Sequence, residues 1–439
     1  MVATHNDGFH DQDVIAMKDS ATPVAGRRWR SRLLRGLLVL SLGLVVLAAP
    51  TVVYHALWSW PRHALPTDTG VQEQQRASAG MDAVQAGRLM AIVREARTDA
   101  GLPSLSAAVI RTDGLAWAGA AGWADVEDRQ PATVDSRYRT GSIAKSITAV
   151  AMMRLVDSDA MDLDAPGSAV VDNLPPALAP LTARQLASHT GGVRHYSPWP
   201  RWWPGWHEAN SQRAFPSVEA GLAVFADDPL VHAPGNGFQY STFGYSLLSR
   251  LLEGASARSF PQLLQEQVFA PVEMRGSAVD TPGAMSERVA FYEGSEGRYV
   301  RARAIDSSFR IAGGGLVSTP SDLARLGVAL QGDGLLSATS RTAMWTPQPL
   351  ADGSANPQAY ALGWRVNEST QLQVQGHPMQ VVHHGGSQTG ASAFLMLLPD
   401  QGLAVAVMSN SVDGRAQVQE TASALAREII GWPPSAVEY

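Results

Sequence analysis

The chain has 439 residues, 45% of them hydrophobic and only 17% charged, so it can bury a large core and is not disordered in its main state. A formal net charge of −6 is mild for this length and leaves no basic footprint for nucleic acid. Cysteine is absent, which excludes a thiolate nucleophile, a disulfide framework and a cysteine-ligated zinc site together.

Residues 1–35 form a polar tail that ends in Arg27, Arg28, Arg30, Arg32 and Arg35. The run 36–57, GLLVLSLGLVVLAAPTVVYHAL, carries no acidic or basic side chain apart from a histidine. At ~1.5 Å per residue it can cross a hydrocarbon core of ~30 Å. Trp58 and Trp60 then supply an interfacial belt. Arginines ahead of the span predict a single-pass anchor with a cytoplasmic N-terminus and everything after it exported, which in a Gram-negative cell is the periplasmic side of the inner membrane. LAAP offers the small residues of a signal-peptide cleavage site, but apolar character continues through Val52, Val53 and Leu57, which favours an uncleaved anchor.

Residues 58–84 lack periodicity and read as a linker. The domain expected over 85–434 opens with a helix, AGRLMAIVREARTDAG, with apolar residues at Leu89, Met90, Ile92, Val93 and Ala96. LSAAVIR and LAWAGAAGW follow as a hairpin turning at Asp113-Gly114. Near the other end ASAFLMLLP and LAVAVMSN repeat the hairpin pattern before a helix from about Gln417 to Ile430. The expected fold is therefore α/β (α+β): an antiparallel sheet built from both termini, flanked by helices, with a mainly helical insertion over about 150–310. Within the insertion, SPWPRWWPGWHEAN places Trp199, Trp202, Trp203 and Trp206 among prolines that forbid a regular helix. Such a loop walls an apolar substrate cleft, touches the membrane or is simply pinned by its own aromatics.

Lysine occurs at Lys18 and Lys145 alone, whereas arginine is abundant. Arginine stays protonated in a protein and a desolvated lysine need not, so Lys145 suggests proton transfer. In RTGSIAKSITAVAMMRLVD, Ser142 precedes Lys145 by three residues on one helix face. Ser142 at the helix start can turn its N–H toward an oxyanion, and apolar Ile143, Ala144, Ile147 and Val150 would depress the lysine pKa. Read structurally instead, Ser142 is a helix cap and Lys145 a solvated cation. Tyr240, in NGFQYSTFGYSLLSRLLE, precedes a helix starting near Thr242 and can move protons if a cation lowers its pKa. In VVHHGGSQTG, Gly385 and Gly386 permit close backbone approach, and the Ser387 N–H can be a second oxyanion donor.

Other chemistries lack their signatures. HExxH, HxHxD and GxSxG are absent, so a metal site or an α/β-hydrolase elbow is not expected. The glycines at 313–315 lack a following lysine and read as a tight loop behind the site; His189 and His195, in ASHTGGVRHY, read as buried hydrogen-bonding residues.

In this order, SIAK, YST and HGGSQTG resemble the serine β-lactamase and penicillin-binding-protein superfamily, in its class C-like branch. LTARQLASHTGGVRHY, YSTFGYSLLS and AGGGLVSTPSDLA are similar to the mitochondrial serine β-lactamase-like proteins and their bacterial relatives. The resemblance spans roughly residues 86–432. It implies an acylated Ser142, proton acceptance by Lys145, acid and base work shared by Tyr240, an oxyanion hole from the N–H groups of Ser142 and Ser387, and substrate contacts at Thr242, Gly385 and Gly386. His384, six residues before Gly390, takes the register of the strand cation, and His383 then faces the other way as a structural residue. Histidine there makes its charge pH-dependent near neutrality, which weakens β-lactam carboxylate binding relative to peptidase or esterase activity. The resemblance implies a cofactor-free serine hydrolase for ester or amide substrates (peptide, D-amino-acid peptide or β-lactam). The alternative is a non-catalytic membrane-anchored scaffold, a homo-oligomer or filament on the same fold.

Overall fold

Ser104–Arg111 and Leu403–Ser409 come from opposite ends of the domain and lie antiparallel, Val109 opposite Val405. In the computed structural model, residues 25–54, 63–65, 73–196, 208–281, 286–295, 297–374 and 377–431 are described. Lys18, Trp58, Trp60 and the four tryptophans of 199–206 lie outside them.

In chain order the strands of the main sheet are β1 (Gln74–Ala77), β2 (Ser104–Arg111), β3 (Ala116–Asp125), β4 (Gln130–Pro131), β5 (Arg365–Val374), β6 (His377–Gln388), β7 (Ala391–Leu398) and β8 (Leu403–Ser409). Their spatial order is β5-β6-β7-β8-β2-β3-β1, with β4 on β3, and every neighbouring pair is antiparallel. The sheet is thus assembled from both ends of the domain, as the two hairpin patterns predict. The helices used below are α1 (Ala25–Tyr54), α2 (Ala83–Asp99), α3 (Ile143–Asp157), α4 (Thr242–Ser256), α5 (Pro320–Ala329) and α6 (Arg415–Ile430).

Period-two alternation sends the side chains of the central strands to two different cores. Leu105, Ala107 and Val109 of β2, with Leu403, Val405 and Val407 of β8, pack against Leu89 and Val93 of α2 and Val418 and Leu425 of α6. The intervening Ala108, Ala404, Ala406 and Met408 join Ile147 and Val150 of α3 and Leu323 and Leu326 of α5. Each fully buried Leu, Ile or Val contributes about 1.5–3 kcal/mol, so both faces drive folding. Helix α3 lies inside the second core and is buried along most of its length. That puts Lys145, in its first turn, in a dry environment.

Helix α1 is a separate unit of the chain. Its segment Arg32–Ala49 has a mean hydropathy of 2.0 and exposes its apolar side chains, so by length and composition it can cross a membrane.

Two stretches differ from the sequence reading. Inside 58–84, read as linker, His63–Ala64 pairs with Arg298–Tyr299 and β1 pairs with β3. All four β1 residues are exposed, so edge hydrogen bonds hold them and no apolar alternation marks the strand. Inside 150–310, the short strands Ala278–Val279, Tyr292–Ser295 and Arg298–Arg301 interrupt the helical pattern.

Candidate active site

Tyr138–Arg139 pairs with Val317–Ser318, and the Thr140 N–H donates to the Leu316 carbonyl at 2.9 Å, which fixes the chain just ahead of α3. Gly141 then turns at φ +50°, a left-handed conformation that favours glycine. Ser142 occupies the N-cap position of α3, yet its side chain makes no cap hydrogen bond. Capping therefore does not account for the hydroxyl.

One turn on, Lys145 is completely buried. Its Nζ lies 3.3 Å from Ser142 Oγ, 3.2 Å from Thr242 Oγ1 and 2.6 Å from the Gly313 carbonyl oxygen. The carbonyl can only accept. A neutral amine has two N–H donors and one lone pair. It can donate to Gly313 and Thr242 and turn the lone pair to the Ser142 hydroxyl. Burial, reinforced by the positive charges of Arg310 and Arg365, pushes the Lys145 pKa well below its usual 10.5. No carboxylate forms an ion pair with Lys145 among the described residues.

Tyr240 sits on the loop entering α4. Two histidines of ASHTGGVRHY hold that entry: the Ser241 N–H donates to His189 Nδ1 and the Thr242 N–H to His195 Nδ1, each at 3.2 Å. Ser241 Oγ accepts from the Gly244 N–H at 2.9 Å and donates to the Arg194 carbonyl at 2.6 Å. The Tyr240 ring packs 4.3 Å from the His189 ring, and Lys145 Nζ lies 4.8 Å from its centre. Burial pushes the Tyr240 pKa up to about 12, against the opposing influence of Ser142 and Arg365. The phenol is thus neutral at ordinary pH, suited to relaying a proton and not to standing as a phenolate base. Thr242, expected to contact substrate, lines the cavity in front of Ser142 and accepts from Lys145 through its hydroxyl.

Strand β6 runs against the Ser142 turn. A Cβ on Gly386 would fall 1.9 Å from the Thr140 carbonyl oxygen, and one on Gly141 would fall 2.5 Å from the Ser387 nitrogen. The missing side chains let the Ser142 and Ser387 amides adjoin. Gly385 is different: its Cβ would meet only Phe394, at 3.7 Å, on the other face of the strand.

Burial works against the strand-cation role expected of His384. Its Nδ1 donates to the Gly385 carbonyl oxygen at 2.7 Å, and in the neutral ring Nε2 accepts from the Tyr360 hydroxyl at 2.9 Å. Burial first, then the charge of Arg365, drives its pKa well below 6.5. Burial beneath Tyr360 and Tyr240 keeps His384 neutral near pH 7, and among the described residues no carboxylate pairs with it. His383 faces away, 2.7 Å from Asn367 Oδ1 and against Phe394, its pKa pushed down to about 4 by burial and Arg365. The cation beside Tyr240 is Arg365, opposite His383 in the ladder, with its guanidinium carbon 5.8 Å from the Tyr240 ring centre and 5.3 Å from that of Tyr360. Nothing in the motif spacing marks Arg365 or Tyr360, since packing across β5 and β6 brings them in.

Ser142 opens onto a cavity of about 110 Å³ also lined by Tyr196, Thr242, Arg310, Ser387 and Gln388. The glycines at 313–315 do stand behind the site, and Gly313 contributes a carbonyl to Lys145.

The Beta-lactamase family matches residues 89–428 of the chain. The chain is 27% identical over 407 residues to the serine beta-lactamase-like protein LACTB, mitochondrial, of Homo sapiens, covering 74% of each chain. It is 23% identical over 329 residues to penicillin-binding protein 4* of Bacillus subtilis (strain 168), covering 71% of this chain and 69% of that one. Among solved structures, the octameric penicillin-binding protein homologue from Pyrococcus abyssi is similar with a TM-score of 0.64 and 24% identity, over 81% of this chain and 79% of that one.

Proposed function

This chain belongs to the beta-lactamase family, and from that premise we propose that it is a serine hydrolase working through an acyl-enzyme on ester or amide substrates, held at a membrane by α1. The observation that carries the reading is the buried Lys145 amine 3.3 Å from Ser142 Oγ, with acceptors for both its N–H groups. Lys145 Nζ takes the hydroxyl proton as Ser142 Oγ bonds to the carbonyl carbon. The N–H groups of Ser142 and Ser387 hold the oxyanion. Collapse breaks the bond to the leaving alcohol or amine, which receives the proton through Tyr240. Water then attacks the acyl ester, its proton returns through the same pair, and the carboxylic acid leaves.

With His384 held neutral by burial, the cation expected at that position for a β-lactam carboxylate is lost, which favours peptidase or esterase activity over efficient β-lactam hydrolysis. The deciding experiment is labelling of the folded protein with a fluorophosphonate, read by intact mass and peptide mapping. Label on Ser142, absent in Ser142→Ala, is expected. A folded protein that takes no label would overturn the reading.

The anchor proposal, with the domain exported across the bacterial inner membrane, rests on the apolar segment Arg32–Ala49 and the arginines that precede it. Full-length protein should stay with membranes through an alkaline carbonate wash, and a version lacking residues 1–57 should not. Release of both would sink it.

A further inference from the structure

Arg310 is only 2% exposed, yet it lines the cavity in front of Ser142. Its Nη1 donates to the Tyr196 hydroxyl at 3.0 Å and its Nε to Ser307 Oγ at 3.4 Å. Gln388, oriented so that its amide nitrogen donates to the Gly314 carbonyl, accepts from Arg310 Nη2 at 3.3 Å. All three partners are neutral, and a guanidinium has five N–H donors. Among the described residues no carboxylate pairs with Arg310, and the cavity lining contains no Asp or Glu. Arg139 is buried to the same degree and shows the contrast: Asp280 neutralises it at 2.7 Å. A buried, unpaired cation is costly unless an anion completes it, and the open side of Arg310 is the cavity.

The geometry also says which half of a substrate would carry that anion. The leaving group must lie toward Tyr240, which packs with His189, Tyr360 and His384, and neither Tyr240 nor His384 lines the cavity. A carbonyl at Ser142 whose leaving group lies toward Tyr240 then directs its acyl half into the cavity that Arg310 lines. We propose that Arg310 is a specificity determinant that recognises a carboxylate on the acyl half of the substrate, so that preferred substrates are esters or amides of acids bearing a second carboxylate. This rests on the acyl-enzyme reading and names its substrate class.

The test uses p-nitrophenyl monoesters of dicarboxylic acids of increasing length, each paired with its methyl ester, which removes the charge. A second series moves the carboxylate to the leaving group, as 4-hydroxy-3-nitrobenzoate esters of neutral acids paired with their methyl benzoate counterparts. The readout is the ratio of kcat/KM within each pair, which cancels general losses of activity. In the natural enzyme one member of the first series should be preferred over its methyl ester by about 10- to 100-fold, the range of a charge-assisted hydrogen-bonded pair. Arg310→Gln should bring that ratio close to one, and Arg310→Lys should restore part of it. The same ratio in natural enzyme and Arg310→Gln, or a preference confined to the leaving-group series, would overturn the proposal. Calorimetric binding of adipic acid monoamide against the neutral diamide to Ser142→Ala gives a readout free of turnover. A carboxylate preference there, without fluorophosphonate labelling of the natural protein, supports Arg310 while the hydrolase reading falls. Labelling of Ser142 without any carboxylate preference does the reverse.

Discussion

The amine of Lys145 stands 3.3 Å from the hydroxyl of Ser142 and only 2.6 Å from the Gly313 carbonyl, in a place with no exposure to solvent. This relationship turns a short sequence pattern into a candidate proton-transfer pair, because the carbonyl takes one N–H and leaves the lone pair for the serine.

Lys145→Arg should lower kcat/KM on p-nitrophenyl esters by about 10²–10⁴-fold, the usual contribution of a positioned base. Arginine retains the charge and cannot give up its proton. Lys145→Met fits the same buried volume without a charge, so it reports folding separately. Stopped-flow acylation of both variants is the measurement, and near-natural rates in a folded Lys145→Arg would refute the mechanism.

Because Lys145 is deprotonated more readily than a free lysine, acylation should rise with pH through its depressed pKa and level off below 10.5. His384, neutral and buried, should contribute no inflection between pH 6 and 8. A kcat/KM profile whose midpoint in that range shifts in His384→Gln would contradict this. His384→Lys should lower Tm, because it places a charge where no carboxylate can meet it.

Stability should fall as pH drops below 6.5. His189, His383 and His384 all have folded-state pKa values below 6.5, chiefly from burial, so the unfolded chain takes up protons that the folded chain refuses. For His383 the window runs from 6.5 down to about 4. Thermal melts over this range should show a declining Tm, and His383→Gln should make the decline shallower. A slope unchanged by that substitution would remove His383 from the account.

Gly386→Ala should cost about 10²–10³-fold in kcat, the effect of losing one oxyanion donor. Its Cβ would fall 1.9 Å from the Thr140 carbonyl oxygen, so the strand must move and carry the Ser387 N–H from its position beside Ser142. Gly385→Ala, with ordinary contact at 3.7 Å, is the paired control and should retain far more activity. Equal losses in the two variants would count against the role given to the close approach.

Asp280→Asn should destabilise the domain by about 3–5 kcal/mol, as measured by denaturant unfolding. Asp280 holds Arg139 at 2.7 Å and Arg288 at 2.8 Å, and both cations would lose their carboxylate. Arg139 also donates to the Thr389 carbonyl at 2.8 Å, tying the approach to Ser142 to the end of the Ser387 strand. Activity should therefore decline together with stability.

Much of the architecture is legible in the chain because its physical basis is local. The runs LSAAVIR and LAVAVMSN are short, apolar and rich in small and β-branched residues, and they become the paired central strands. The three-residue spacing of Ser142 and Lys145 places them on one helix face whatever surrounds them. Strand β1 is not legible, since an exposed edge needs only backbone hydrogen bonds and leaves no apolar trace. Arg310, Arg365 and Tyr360 are equally hidden: each reaches the site through packing between distant segments, and no spacing rule records that.

The pair in VVHHGGSQTG shows the division most clearly. Sequence alone determined which residue types could move a proton or carry a charge, and strand alternation separated His384 from His383. Only the tertiary structure decided their state. Burial, reinforced by the nearby Arg365, holds His384 neutral against the opposing pull of the Gly385 carbonyl, and the cation of the site passes to the arginines. The reason is electrostatic: a side chain's capacity to ionise is set by its chemistry, whereas its charge at a given pH is set by the water and the charges that folding leaves around it.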